Sequence, residues 1–181
     1  MGSYVEKNTQ SSRCRENNED HFEMARMEDW ERELYRELNS SYDGNIIWCL
    51  ENYKAHRQEA IDQNLLFQDS CPCYTRRFSY KYCLRAHLQG LDGHLTLSLV
   101  QMSTKFDSVL VWPVNHRVRI TLICQQGQNK NKMRNFDGVD MERPSQEMTI
   151  VKCWSFVHPI GLLETDGFVV GDRMFIKLEI E

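Results

Sequence analysis

The chain of 181 residues is 41% hydrophobic and 27% charged, with a formal net charge of -4. That length suits one domain core with an appendage rather than two domains, and no apolar run approaches a membrane span. The acidic balance excludes nucleic acid as the main partner, since phosphate binding rests on an excess of Lys and Arg.

Residues 1–20 are mostly Ser, Asn, Gln and charge. Side chains of that kind do not repay the entropy of ordering, so the stretch predicts a disordered arm. It also lacks the apolar segment of a secretory signal, which sets the expectation of a reducing, cytoplasmic setting. Over residues 21–40 the composition turns to Glu, Arg, Met and Leu without Gly or Pro. Phe22, Met27, Trp30, Leu34 and Leu38 fall on one stripe, which predicts an amphipathic helical stalk. A short helix with a single stripe is marginal alone. It must pack on the following domain or pair with copies of itself, and the pattern favours neither.

Residues 42–181 make the main domain. Residues 40–44 carry turn punctuation, 45–50 read as a strand and 53–61 as a short helix. Further strands are predicted over residues 80–89, 94–102, 116–125, 148–151, 155–157 and 173–180. Leu95, Leu97 and Leu99 alternate with Thr96, Ser98 and Val100, and Val118, Ile120 and Leu122 with Arg119, Thr121 and Ile123. One face of each strand is therefore expected inside. Residues 89–93, Gln-Gly-Leu-Asp-Gly, predict the hairpin between two long strands. Seven or eight strands with little helix between them imply an all-β antiparallel sandwich, preceded by one amphipathic helix.

Motifs for chemistry are wanting. No phosphate loop, zinc-protease helix or nucleophile elbow occurs, and the six histidines are scattered singly. Cys153 and His158 come nearest to a thiol and its base, but such a pair needs an activated thiol and an orienting third group. Cys71-Pro72-Cys73 lacks CxxC spacing, and no second pair completes a zinc site. The seven cysteines are an odd number, and most sit in strand-like runs as small buried hydrophobes. The expectation is a protein without catalytic residues, metal or cofactor. A sandwich of this kind offers a surface, and an exposed sheet edge takes an extended peptide as an added strand. Arg85, flanked by Leu84 and Leu88, is the candidate cation for an acidic peptide; the alternative is a solvated strand arginine.

Several segments in order resemble the C-terminal domain of TNF-receptor-associated factors, the receptor-adaptor branch of the MATH fold. They are Ser41-Tyr42-Asp43-Gly44-Asn45-Ile46-Ile47-Trp48, Arg57-Gln58-Glu59-Ala60, Cys73-Tyr74-Thr75 with Tyr80-Lys81-Tyr82-Cys83-Leu84-Arg85, and His94-Leu95-Thr96-Leu97. Phe106-Asp107-Ser108-Val109-Leu110-Val111-Trp112-Pro113, Arg143-Pro144 and Asp172-Arg173-Met174-Phe175-Ile176-Lys177 follow in register. The resemblance implies a signalling adaptor or regulator that binds receptor cytoplasmic tails or adaptor proteins through short linear motifs, in a groove along the sandwich edge. It places the helix at the end of a trimerising coiled coil, which implies a homo- or hetero-oligomer. It assigns Arg85 to the groove cation, His87 to a tyrosine position beside it, and Ile120, Phe136, Met141, Cys153 and Trp154 to the groove wall. Asp92 matches an acidic groove residue.

The departures bear on the ligand. A run of three peptide-gripping serines has no counterpart, because residues 136–143 are about four shorter than in the family. Ser98 replaces a groove aromatic and Lys152 a groove serine, so a different and more acidic ligand set is expected. No zinc-rich array with a RING precedes the domain, so this chain alone is not expected to transfer ubiquitin. It reads as a truncated regulator or as part of a longer chain. The alternative function is an oligomerisation module whose peptide groove has degenerated.

Overall fold

The computed structural model describes residues 28–63, 67–89 and 91–181. The expected arm over residues 1–20, the first part of the predicted stalk, and its residues Phe22 and Met27 lie outside the described residues. The chain divides into two compact units, one ending at Leu38 and the other spanning Asn39–Glu181. Helix α1 (Asp29–Leu38) carries Asp29 and Glu31 in its first turn and Arg36 in its last, the order that suits the helix dipole. Glu31 Oε2 accepts a hydrogen bond from the Glu28 backbone N–H at 2.9 Å, one half of a capping box. Trp30, Leu34 and Leu38 are exposed.

In the second unit the order is β1 (Asn45–Leu50), α2 (Tyr53–Gln63), β2 (Phe67–Asp69), β3 (Cys73–Tyr74), β4 (Lys81–His87), β5 (His94–Met102), β6 (Val114–Ile123), β7 (Lys132–Met141), β8 (Met148–Pro159), β9 (Val169–Val170) and β10 (Arg173–Ile180). These strands pair antiparallel in two sheets. One runs β1-β10-β6-β7 with β9 on β10, and the other runs β2-β4-β5-β8 with β3 on β4. The inner faces meet in a single core. Trp48, Leu50, Val118, Ile120, Leu122, Met174, Ile176 and Leu178 come from the first sheet, and Tyr82, Leu84, Ala86, Leu95, Leu97 and Leu99 from the second. Burying each such aliphatic side chain contributes about 1.5–3 kcal/mol relative to leaving it exposed.

The turn before β1 is held by Asp43. Its Oδ1 accepts from Ser41 Oγ at 2.7 Å and from the Asn45 backbone N–H at 2.9 Å, and these bonds hold the carboxyl below its ordinary value. The loop between β5 and β6 is organised by Asp107, which accepts from the Thr104 N–H and hydroxyl at 2.9 Å each. Its carbonyl receives the Trp112 indole N–H, also at 2.9 Å. Tyr80 donates to the Val111 carbonyl at 2.7 Å, and its ring meets Trp112 and His116 edge-on.

Two expectations change. Residues 148–151 and 155–157 belong to one strand, β8, rather than two. Strand β7 carried no strand signal in the sequence, and β2, β3 and β9 are too short to show one.

Candidate functional site at a sheet edge

Strand β4 reads Lys-Tyr-Cys-Leu-Arg-Ala-His, and its alternation puts Tyr82, Leu84 and Ala86 into the core and Cys83, Arg85 and His87 on the outer face. Register extends that face across the sheet. Asp69 of β2 stands opposite Arg85, Arg85 opposite Ser98 of β5, and Ser98 opposite Cys153 of β8. Directly opposed residues share a face, so these four form one cross-sheet row, with about 10 Å between Arg85 and Cys153 at the usual strand spacing.

Strand β8 ends this sheet and β7 ends the other. Lys152 and Cys153 on β8 are exposed, and Cys153 Sγ lies 3.4 Å from Ser155 Oγ. Trp154, opposite Leu97, packs partly against the core. Among the described residues β8 is thus the last strand of its sheet, and its backbone is flanked by a cation, a thiol and a half-buried indole.

Arg85 is paired within the chain. Its Nε donates to Asp69 Oδ1 at 2.7 Å and its Nη2 to Asp69 Oδ2 at 2.8 Å, a bidentate pair whose side chains are only 13% and 16% exposed. The Phe67 ring lies against the guanidinium, 3.5 Å from its centroid to Cζ. His87 meets the same Phe67 ring at 5.8 Å. Burial pushes the His87 imidazole below its ordinary value, and the Arg85 charge adds to the effect.

The remaining sequence-derived site residues divide. Asp92 is exposed in a 3-10 turn (Leu91–Gly93) between β4 and β5 with φ of 54°, and its carbonyl contacts the His94 ring at 3.0 Å. Phe136 of β7 packs partly against the core, with the Arg134 guanidinium 5.8 Å from its ring centroid. Ser98, Ile120 and Met141 are buried, and Ile120 and Met141 belong to the core itself. Ser98 lies covered within the outer-face row, whereas Ile120 and Met141 point into the sandwich, and none of the three is exposed. Asp69 and Phe67 are the residues that sequence reasoning missed.

The thiol and imidazole weighed as a catalytic pair stand apart. Cys153 is exposed while His158 is buried, with Nε2 2.9 Å from Asp166 Oδ2. Five residues of extended strand, roughly 15 Å, separate them. Cys73 is fully buried, and burial pushes its thiol up to about 11, the state of a packed and unreactive cysteine. On β6 the basic residues are paired: Arg117 lies 3.1 Å from Asp137 and 3.5 Å from Glu181, and Arg119 lies 3.9 Å from Glu179.

Comparison with known proteins agrees with this architecture. Residues 66–177 match the family model described as TRAF/meprin, MATH domain. TNF receptor-associated factor 5 of Homo sapiens is 35% identical over 151 residues, covering 77% of this chain and 27% of that protein. TNF receptor-associated factor 2 of Homo sapiens is 31% identical over 164 residues, covering 86% of this chain and 32% of that protein. The chain therefore spans about a third or less of the length of these relatives. Among solved structures, Notothenia coriiceps TRAF5 superposes with a TM-score of 0.74 at 23% identity, over 97% of this chain and 91% of the other, which shows the shared fold. With more than half of its residues inside that family model, the chain belongs to the TRAF/MATH-domain family.

Proposed function

We propose that the protein is a cytoplasmic signalling adaptor or regulator that binds short, extended, acidic segments of TNF-receptor-type tails or adaptor proteins along strand β8. The observation that carries this is the place of β8 as the last strand of its sheet among the described residues, with exposed Lys152 and Cys153 along it. A peptide added there gains affinity from main-chain hydrogen bonds and selectivity from alternate side chains. The names of the relatives, TNF receptor-associated factors, supply the class of partner.

In this reading Lys152 meets an acidic residue of the peptide. An exposed ion pair is worth at most about 1 kcal/mol, and reversing its charge adds repulsion to the loss. Lys152→Glu should weaken acidic peptides on a receptor-tail array by at least about fivefold and leave neutral peptides unchanged. Equal binding of acidic peptides by both proteins would remove Lys152 from the site. Silence of the folded wild type on the whole array would remove the peptide reading.

A second reading is favoured by α1, whose Trp30, Leu34 and Leu38 are 65%, 51% and 76% exposed. Together with Phe22 and Met27 they form the stripe expected of a trimerising stalk, and the chain would then act by titrating related chains. Sedimentation of wild type beside Trp30→Glu/Leu34→Glu tests this. A wild-type trimer that becomes monomeric in the variant supports it, and a wild-type monomer at tens of micromolar rejects it.

A further inference from the structure

In the resting chain the cation of the proposed peptide site is already answered. Asp69 stands directly across the β2–β4 pairing from Arg85 and takes its guanidinium through two parallel hydrogen bonds of 2.7 and 2.8 Å. The pair is mostly covered, and Phe67, two residues earlier on the same face of β2, lays its ring on the guanidinium. The following residue fastens the strand: the Ser70 N–H donates to the Leu84 carbonyl at 2.8 Å, and the Leu84 N–H donates to Ser70 Oγ at 3.0 Å. Backbone pairing, ring stacking and the Ser70 clasp therefore deliver one carboxylate to one arginine.

This arrangement changes what Arg85 recognises. A peptide carboxylate approaching it meets a neutralised pair rather than an open cation. It competes with a group held in place by the same chain, whose effective concentration exceeds that of any free ligand at micromolar level. A glutamate that displaced Asp69 would also leave that carboxylate mostly buried and unpaired, a costly state. An amide or hydroxyl meets neither penalty, since the guanidinium has five N–H donors, of which two are engaged by Asp69 and a further weak contact of 3.9 Å runs from Nη2 to Met148 Sδ.

We propose that Asp69 is an internal carboxylate ligand of Arg85 that sets the specificity of the peptide site, suppressing acidic side chains at the position facing Arg85 and admitting uncharged ones. The proposal rests on the peptide-binding reading and adds its selectivity. Acid preference is left to Lys152 at the β8 margin.

The test uses two pools of acetylated decapeptides built from Ser, Thr, Pro and Ala, one with a single Glu at varied positions and the other with Gln in its place. Asp69→Asn keeps the side-chain shape and removes the charge, so the Glu pool should bind about tenfold tighter than to wild type, the worth of a charge-assisted hydrogen bond regained. The Gln pool should change less than twofold. Asp69→Asn/Arg85→Ala should lose the gain, and Asp69→Glu, which retains a carboxylate near the arginine, should stay close to wild type. Each protein is first shown to melt cooperatively; if Asp69→Asn does not, Asp69→Ser replaces it. Selective binding by the wild type with no gain in the charge-neutral variant, or a gain that survives Arg85→Ala, overturns the role of Asp69 while leaving the peptide site standing. No binding of either pool by any of the folded proteins overturns the peptide site and the role of Asp69 with it.

Discussion

Gly44 is the residue at which three strands are tied. Its N–H donates to the Tyr74 carbonyl at 2.9 Å, and its own carbonyl receives the Ile180 N–H at 2.8 Å. Its φ is 77°, and a Cβ added there would stand 2.4 Å from the Ile180 carbonyl oxygen, a backbone atom that cannot swing aside. Gly44→Ala combines left-handed strain with that clash and should cost at least about 2 kcal/mol, read as a lower urea midpoint. A variant as stable as wild type would show that the turn has an unstrained alternative. The glycine is legible in the sequence, within Tyr42-Asp43-Gly44, and so is Arg85 as a cation on a strand. Asp69 is not legible: it precedes Ser70-Cys71-Pro72-Cys73, which reads as loop, and its role depends on the register of a three-residue strand against one that follows later in the chain. Ile120 and Met141 show the opposite case. Family resemblance assigns them to a groove wall, but their burial is a property of the closed sandwich.

Helix α2 begins on a cap supplied from a distant loop. Asp172 Oδ1 accepts the Lys54 N–H at 2.9 Å, and its carbonyl accepts the Tyr53 N–H at 3.1 Å. Asp172 itself holds φ of 62°, a conformation that Asp tolerates better than Ala. Asp172→Ala should lose about 1 kcal/mol for the cap and more for the backbone, whereas Asp172→Gly should lose less because it relieves the strain. Denaturant titration that ranked the glycine variant below the alanine one would refute this account. Elements with intact alternation were legible in the sequence: β10 buries Met174, Ile176, Leu178 and Ile180 and leaves the residues between them half-buried, and β5 and β1 have the predicted bounds. Strands with bulges were not. In β7, Asp137 and Gly138 both stand against Arg117, so Phe136, Val139 and Met141 are spaced three and then two apart and the period breaks. In β8, two register shifts against β5 interrupt the alternation, which made one long strand look like two short ones.

For the molecule as a whole, three histidines couple stability to acidity in the same direction. His87 is depressed by burial and then by Arg85, with Asp69 opposing. His116 is depressed by burial, with the Glu181 carbonyl opposing. His158 is depressed by burial and Lys132, with Asp166 opposing. The unfolded chain, whose imidazoles titrate near the ordinary 6.5, takes up protons before the folded one does. Stability is therefore full above that value and declines as the pH falls through it toward the lower folded values. The urea midpoint should be lower at pH 5 than at pH 7. His116→Phe, which keeps a ring between Tyr80 and Tyr82, should flatten the decline; an unaltered slope would take His116 out of the linkage. Topology has a consequence in time as well. Strand β10 lies between β1 and β6, with Asn45 opposite Glu179, so a strand at residues 45–50 waits for one at residues 173–180. Contacts of such long sequence separation slow folding. Until residue 179 has left the ribosome, the apolar side chains of β1 and β6 have no strand between them, and for that whole interval the growing chain carries uncovered apolar surface that favours association.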